Sequence, residues 1–228
     1  MHSLGEIMAR LHQRVSTPEH AADVERRRSA IQQAQHAALW SRATQLDLPT
    51  LHELREVAFR DEPPQTEALR VLRKAVARRG EITPRPALLT ILSGPPGTGK
   101  STACAWQVLR VGCSALWVSA AKVATTARGY STGAELWDRW EGVPFLVVDD
   151  LGTEGGDGEA IVSLLCARAD RGHHTVASTN LSRRELEARY SPAGSWARLE
   201  DRLARQTALQ VPWCLPTGST SLRREGGR

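Results

Sequence analysis

The stretch Gly94-Pro95-Pro96-Gly97-Thr98-Gly99-Lys100-Ser101 carries the clearest chemistry in the chain. Its spacing, G-x-x-x-x-G-K-[ST], is the P-loop pattern, and it sits between an apolar run and a helical pattern beginning at Ser101 and Thr102. Glycines let successive backbone N–H groups turn inward around phosphate oxygens, at a helix N-terminus whose partial positive charge favours an anion. All eight residues and Thr102 are therefore candidate nucleotide contacts. Of the 30 basic residues only three are Lys (Lys74, Lys100, Lys122), yet Lys stands at the motif position. A compact ammonium fits among phosphates where a planar guanidinium would not. Lys100 can reach the β- and γ-phosphates, and the Ser101 hydroxyl can ligate magnesium. The alternative, a glycine-rich turn with no ligand, explains neither the lysine nor the hydroxyl beside it.

A second set of polar residues follows. Asp149 and Asp150 end the apolar run Phe145-Leu146-Val147-Val148, about 50 residues after Lys100. Four consecutive apolar residues predict a central strand of a parallel sheet, and open α/β sheets bind ligands at the C-terminal ends of their strands. Side chains alternate along a strand, so the two carboxylates point differently and can divide the work. Asp149 would hold magnesium with Ser101, and Asp150 would orient and deprotonate an attacking water. A third apolar run ends in Ser178-Thr179-Asn180. There Asn180 could hydrogen-bond a γ-phosphate or the water, or cap the helix starting near Ser182.

These side chains need a scaffold. The patterns predict strands over 88–92, 115–119, 144–150 and 173–179, and helices from 101, over 65–79 and over 159–171. A last strand is expected at Thr207-Ala208-Leu209-Gln210-Val211. This is an α/β parallel sheet flanked by helices. Residues 120–142 mix Lys122, Arg128 and Tyr130 with Trp137 and Trp140. Interleaved cations and aromatics can clamp single-stranded bases. The three-residue spacing of the two tryptophans favours core for them and leaves the other three as contact candidates. Ahead of the sheet, residues 1–48 predict a small helical extension. Leu4, Met8, Leu11 and Val15 form one apolar stripe, and Thr17-Pro18 supplies an N-cap and an N1 proline for the next helix. The expected organisation is 1–48, 49–212 and a basic flexible tail at 213–228.

Composition narrows the class. No apolar run approaches the roughly 18 residues of a membrane span, and the N-terminus lacks a signal-peptide core, so the expectation is a cytoplasmic protein. Four scattered cysteines with no CxxC pair exclude a zinc framework by pattern. The net charge of +5 is uneven: residues 86–180 carry −2, while the flanks 1–85 and 181–228 carry +3 and +4. Basic flanks around a slightly acidic core suit contact with a polyanion through the periphery.

The order of motifs resembles the AAA+ ATPases. Val148-Asp149-Asp150-Leu151-Gly152, Ser178-Thr179-Asn180-Leu181 and Arg198-Leu199-Glu200-Asp201-Arg202-Leu203 are similar to the DnaC/IstB branch of bacterial helicase loaders and transposition helpers, over roughly residues 50–212. The resemblance implies ATP and Mg2+ as cofactors, Asp149 as the magnesium aspartate and Asn180 as the first sensor. It also implies Arg202, or less closely Arg198, as an arginine finger reaching a neighbouring subunit's nucleotide. ATP-dependent homo-oligomers, single-stranded DNA and a replicative hexameric helicase are the implied partners, the helicase gripped by residues 1–48. The chain after Arg205 is too short for a helical lid domain, as in the loader branch. The alternatives are an IstB-like helper of a transposase on duplex DNA, a P-loop kinase for a small metabolite, and a scaffold that binds nucleotide with little or no hydrolysis. No lid insertion bearing arginines is evident for the kinase.

Overall fold

A computed structural model describes residues 18–45, 66–80, 89–111, 114–128, 133–156, 158–191, 195–208 and 214–216. The chain divides into two compact units, Met1–Arg42 and Ala43–Arg228. The first contains most of helix α1 (Pro18–Gln45), which starts on the proline expected at N1. Val24 and Ile31 on α1 are half exposed or more, and Asp23 pairs with Arg27 at 2.9 Å along the same helix. The stripe from Leu4 to Val15, Thr17 and the lead-in at 49–65 lie outside the described residues.

The second unit is built on a five-stranded parallel sheet in the order β2-β3-β4-β1-β5. The strands are β1 (Leu89–Ser93), β2 (Ala115–Ser119), β3 (Phe145–Leu151), β4 (His174–Thr179) and β5 (Cys214–Pro216). Helices α2 (Glu67–Gly80) and α3 (Lys100–Arg110) pack together on one face. On the other face lie α4 (Ala120–Ala127), α5 (Gly133–Gly142), α6 (Glu159–Asp170), α7 (Arg183–Tyr190) and α8 (Ser195–Ala208). Strand alternation decides which side chain goes where. Leu89, Ile91, Val118, Leu146, Val148 and Ala177 join one cluster with Val123, Trp140, Ile161, Leu164, Tyr190, Trp196 and Leu199. Each such aliphatic side chain contributes about 1.5–3 kcal/mol on burial. The sheet is thus the buried middle layer, as near-continuous apolar strands require.

One expectation is corrected. Thr207 and Ala208, expected to open the last strand, end helix α8, while Leu209, Gln210 and Val211 lie outside the described residues; the last described strand is Cys214–Pro216, paired with β1 through Ile91↔Cys214. The apolar spacing Trp196, Leu199, Leu203 carries the helix past the point where a strand was expected, because those side chains fill the core beside α6. Pro216 is tolerated because β5 is an edge strand with one neighbour. The sheet therefore includes residues assigned to the tail by sequence.

The second finding concerns β3. Val148 pairs with Ala177 and Leu151 with Thr179, so Asp149 and Asp150 together oppose Ser178 alone. This is a β-bulge, and Asp150 has φ 55, the one positive value for a non-glycine among the described residues. Strict alternation would point residue 150 into the apolar cluster. The bulge extrudes it instead, leaving Asp150 exposed and giving its place in the core to Leu151.

Candidate functional site

The P-loop joins the C-terminal end of β1 to α3. Gly97 and Gly99 have φ 83 and 81, left-handed values that a side chain disfavours. Thr98 Oγ1 donates to Pro95 O at 3.0 Å and fixes the loop. Gly99 is the N-cap of α3 and brings no side-chain acceptor, so the N–H groups of the first turn receive no side-chain cap. Pro95 and Pro96 are exposed; Ser101 and Thr102 are half-buried in that first turn.

Lys100 is buried at 6% exposure. Its Nζ donates to Gly94 O at 2.7 Å, Pro95 O at 2.8 Å and Asn180 Oδ1 at 3.0 Å. Burial lowers its pKa, opposed by the nearby Asp150 and Asp149 carboxylates. Ser101 Oγ donates to Asp149 Oδ1 at 3.0 Å, and Ser178 Oγ donates to the same oxygen. Burial raises the Asp149 pKa; the Ser178 and Ser101 hydrogen bonds act against that and the Asp150 charge adds to it. The ends of β1, β3 and β4 thus bring Lys100, Ser101, Asp149 and Asn180 together.

Asn180 does not cap α7. Ser182 does, in a reciprocal capping box with Glu185 (3.3 and 2.7 Å). Ser182 is one residue before the helix, the only place from which a side-chain oxygen reaches the N3 amide, so Asn180 is left to face Lys100.

The arginines of α8 stand apart from this cluster. Arg202 makes a two-pronged contact with Asp170 on α6, at 3.3 and 2.9 Å, and Arg198 reaches Glu159 at 3.4 Å. Of the other candidate contacts, Lys122 and Arg128 are exposed, and Arg128 donates to Gly155 O at 2.8 Å. Tyr130 lies outside the described residues. Trp140 is core as expected; Trp137 is partly buried, and its Nε1 donates to Glu141 at 2.6 Å.

Two participants were not evident in the sequence. Ser178 contacts Asp149 only because of the strand register, which no local spacing reveals. Glu154, buried at 2%, accepts from Gly152 N and from Tyr190 Oη, both at 2.8 Å, and so anchors the loop after Asp150. A glutamate among glycines gives no local sign of that role.

The donor set suits a hard cation. The Asp149 carboxylate and the Ser101 hydroxyl, already 3.0 Å apart, would hold Mg2+ together with phosphate oxygens and waters. No group of three or more His, Cys, Asp or Glu able to hold a metal occurs among the described residues. No helix among them is long and apolar enough to cross a membrane.

Compared by sequence, the chain matches no family model and no curated protein. Solved structures do resemble it. The crystal structure of DnaI aligns at TM-score 0.56 and 18% identity over 72% of this chain and 94% of that one. A putative primosome component from Streptococcus pyogenes serotype M3 aligns at 0.54 and 19% over 77% and 92%. The DnaC helicase loader aligns at 0.51 and 17% over 73% and 99%. The chain has the α/β P-loop NTPase fold that these structures share.

Proposed function

We propose that this chain is a Mg2+-dependent AAA+ ATPase of the helicase-loader type, acting with a replicative hexameric helicase on single-stranded DNA. One observation carries the nucleotide chemistry: Lys100 and Ser101 from the P-loop, Asp149 from β3 and Asn180 after β4 meet through 3.0 Å hydrogen bonds at the C-terminal edge of a parallel sheet. The loader role rests on the fold shared with DnaI and the DnaC helicase loader.

In this reading the P-loop amides and the start of α3 bind the phosphates of ATP. Lys100 exchanges its carbonyl and Asn180 partners for β- and γ-phosphate oxygens. Ser101 and Asp149 hold Mg2+, whose charge, when bound, offsets that of the phosphate oxygens. Asp150, held outside the core by the bulge, accepts the proton of the attacking water, and Asn180, released by Lys100, orients that water or the γ-phosphate. Arg202 acts on the nucleotide of a neighbouring subunit, so hydrolysis depends on assembly. Residues 1–48 engage the helicase, and the basic flanks with Lys122, Arg128 and Tyr130 contact DNA.

The test uses the full chain. Fluorescent ATP binding, with and without Mg2+, should be present in wild type and absent in Lys100→Ala. Light scattering after gel filtration should then show an ATP-sensitive complex with the replicative helicase of the same source, lost on deleting residues 1–48. Nucleotide binding without a helicase complex, but with ATP-dependent filaments on duplex DNA, would replace the loader by a transposition helper. Phosphorylation of a metabolite would replace both by a kinase.

A further inference from the structure

The bulge in β3 leaves two neighbouring polar groups that one hydroxyl serves together. The Asp149 carboxylate is buried at 8% exposure, and a buried carboxylate must be hydrogen-bonded. Beside it, the displaced Asp150 N–H has left the regular ladder and needs an acceptor. Ser178 lies opposite both and is 1% exposed. Its hydroxyl donates to Asp149 Oδ1 and accepts from Asp150 N at 3.1 Å. Only a hydroxyl offers one donor and spare acceptor capacity on a single atom.

We infer that Ser178 is a positioning residue for the metal and water carboxylates: one hydroxyl fixes the Asp149 oxygen beside Ser101 and holds the bulge that projects Asp150. The inference rests on the nucleotide reading above. Ser178 touches neither nucleotide nor metal; it acts through the two aspartates. A group that orients a metal-binding carboxylate typically changes metal affinity by 10–100-fold when removed.

The experiment titrates Mg2+ against binding of fluorescent ATP to the full chain, alongside binding in EDTA. For Ser178→Ala the Mg2+ midpoint should rise about tenfold. Affinity in EDTA should stay at the wild-type value, because the P-loop and Lys100 are intact. Ser178→Thr, which keeps the hydroxyl, should restore the midpoint. Ser178→Cys keeps the volume with a weak donor and should also raise it, which preserves the test should the alanine variant fold poorly. A wild-type midpoint in the Ala or Cys variant would overturn the inference. So would an equal loss of affinity with and without Mg2+, which marks general damage to the fold. If wild-type protein bound no nucleotide at all, the parent reading would fall and this one with it. Binding that is intact but indifferent to Mg2+ in every variant, wild type included, would remove this inference and the Mg2+ assignment to Ser101 and Asp149 while leaving the nucleotide site standing.

Discussion

Asp149 is a destabilising charge in the nucleotide-free protein. Burial raises its pKa above the ordinary 3.8, so ionising it costs more in the folded chain than in the unfolded one. The sign follows from linkage: the folded state holds the proton more tightly, so this contribution is fully favourable below about pH 3.8 and is lost as pH rises through the raised folded value. Asp149→Asn retains an acceptor for both Ser101 and Ser178 and removes the charge. It should raise the melting temperature of the nucleotide-free protein at pH 7. The gain should shrink towards acid pH, where the native carboxyl is itself neutral. The same variant should lose the Mg2+ dependence of nucleotide binding; thermal scans and titrations on one preparation check both. At this scale the sequence was legible wherever a residue acts through its neighbours in the chain. Lys100 and Ser101 belong to one turn, and their proposed roles follow from local spacing. Asn180 was ambiguous because two residues, itself and Ser182, stood near one helix start, and the capping geometry chose Ser182. Ser178 was not legible, since its partner is set by strand register.

The loop from β3 to α6 is the element on which the placement of Asp150 depends, and it is held from α7. Tyr190 donates to Glu154, while Arg189 donates to Gly156 O and Glu154 O, both at 2.6 Å. Gly158 then begins α6 with φ 76, and a Cβ there would lie 2.3 Å from Tyr190 Cε1. Gly158→Ala combines the left-handed penalty, about 1–2 kcal/mol, with displacement of a buried ring. Chemical denaturation should show a loss of at least about 2 kcal/mol. In a Tyr190→Ala background the added cost of Gly158→Ala should fall towards the backbone penalty alone, since the clash has gone. Equal costs in both backgrounds would mean the ring is not what the glycine accommodates. A milder effect belongs to α7 itself: Ser182→Ala removes half of the capping box and should cost about 1 kcal/mol by the same assay. Buried strands were readable as apolar runs, and β2 matches its expected span of 115–119. At Thr207 and Ala208 a helix stands where a strand was expected to begin, because α8, whose Trp196, Leu199 and Leu203 fill the core beside α6, runs through them. The bulge was invisible for a related reason: alternation and extrusion both predict that Asp149 and Asp150 diverge, and only pairing with β4 separates them.

At the scale of the whole molecule, the unit from Ala43 onward brings Lys100, Ser101, Asp149 and Asn180 together, yet its α8 arginines bond elsewhere in the same chain. Arg202 is held by Asp170 through two donors, a geometry that fixes the guanidinium plane. The pair is partly exposed, and exposed ion pairs contribute about 0–1 kcal/mol, so releasing Arg202 towards a neighbour is inexpensive. The Asp170 contact therefore parks the side chain at little cost without committing it to the fold. If Arg202 serves a second subunit, its defect must be repairable in trans. Arg202→Ala subunits keep an intact site with no finger to offer, and Asp150→Asn subunits keep the finger with no water-activating carboxylate. Each alone should hydrolyse ATP at least about 10³-fold more slowly than wild type. Mixed in equal amounts, with DNA and ATP present, they should recover a rate well above either, because an intact site then meets an intact arginine. Asp170→Asn, which loosens the parked state, should leave the wild-type rate unchanged or higher. Arg198→Ala tested in the same way decides between the two arginines, since only the variant of the acting one is slow alone and recovers when mixed with Asp150→Asn subunits. A mixture no faster than its parts, with Arg202→Ala alone retaining wild-type turnover, would return Arg202 to a fastener between α8 and α6 and leave hydrolysis to the single chain.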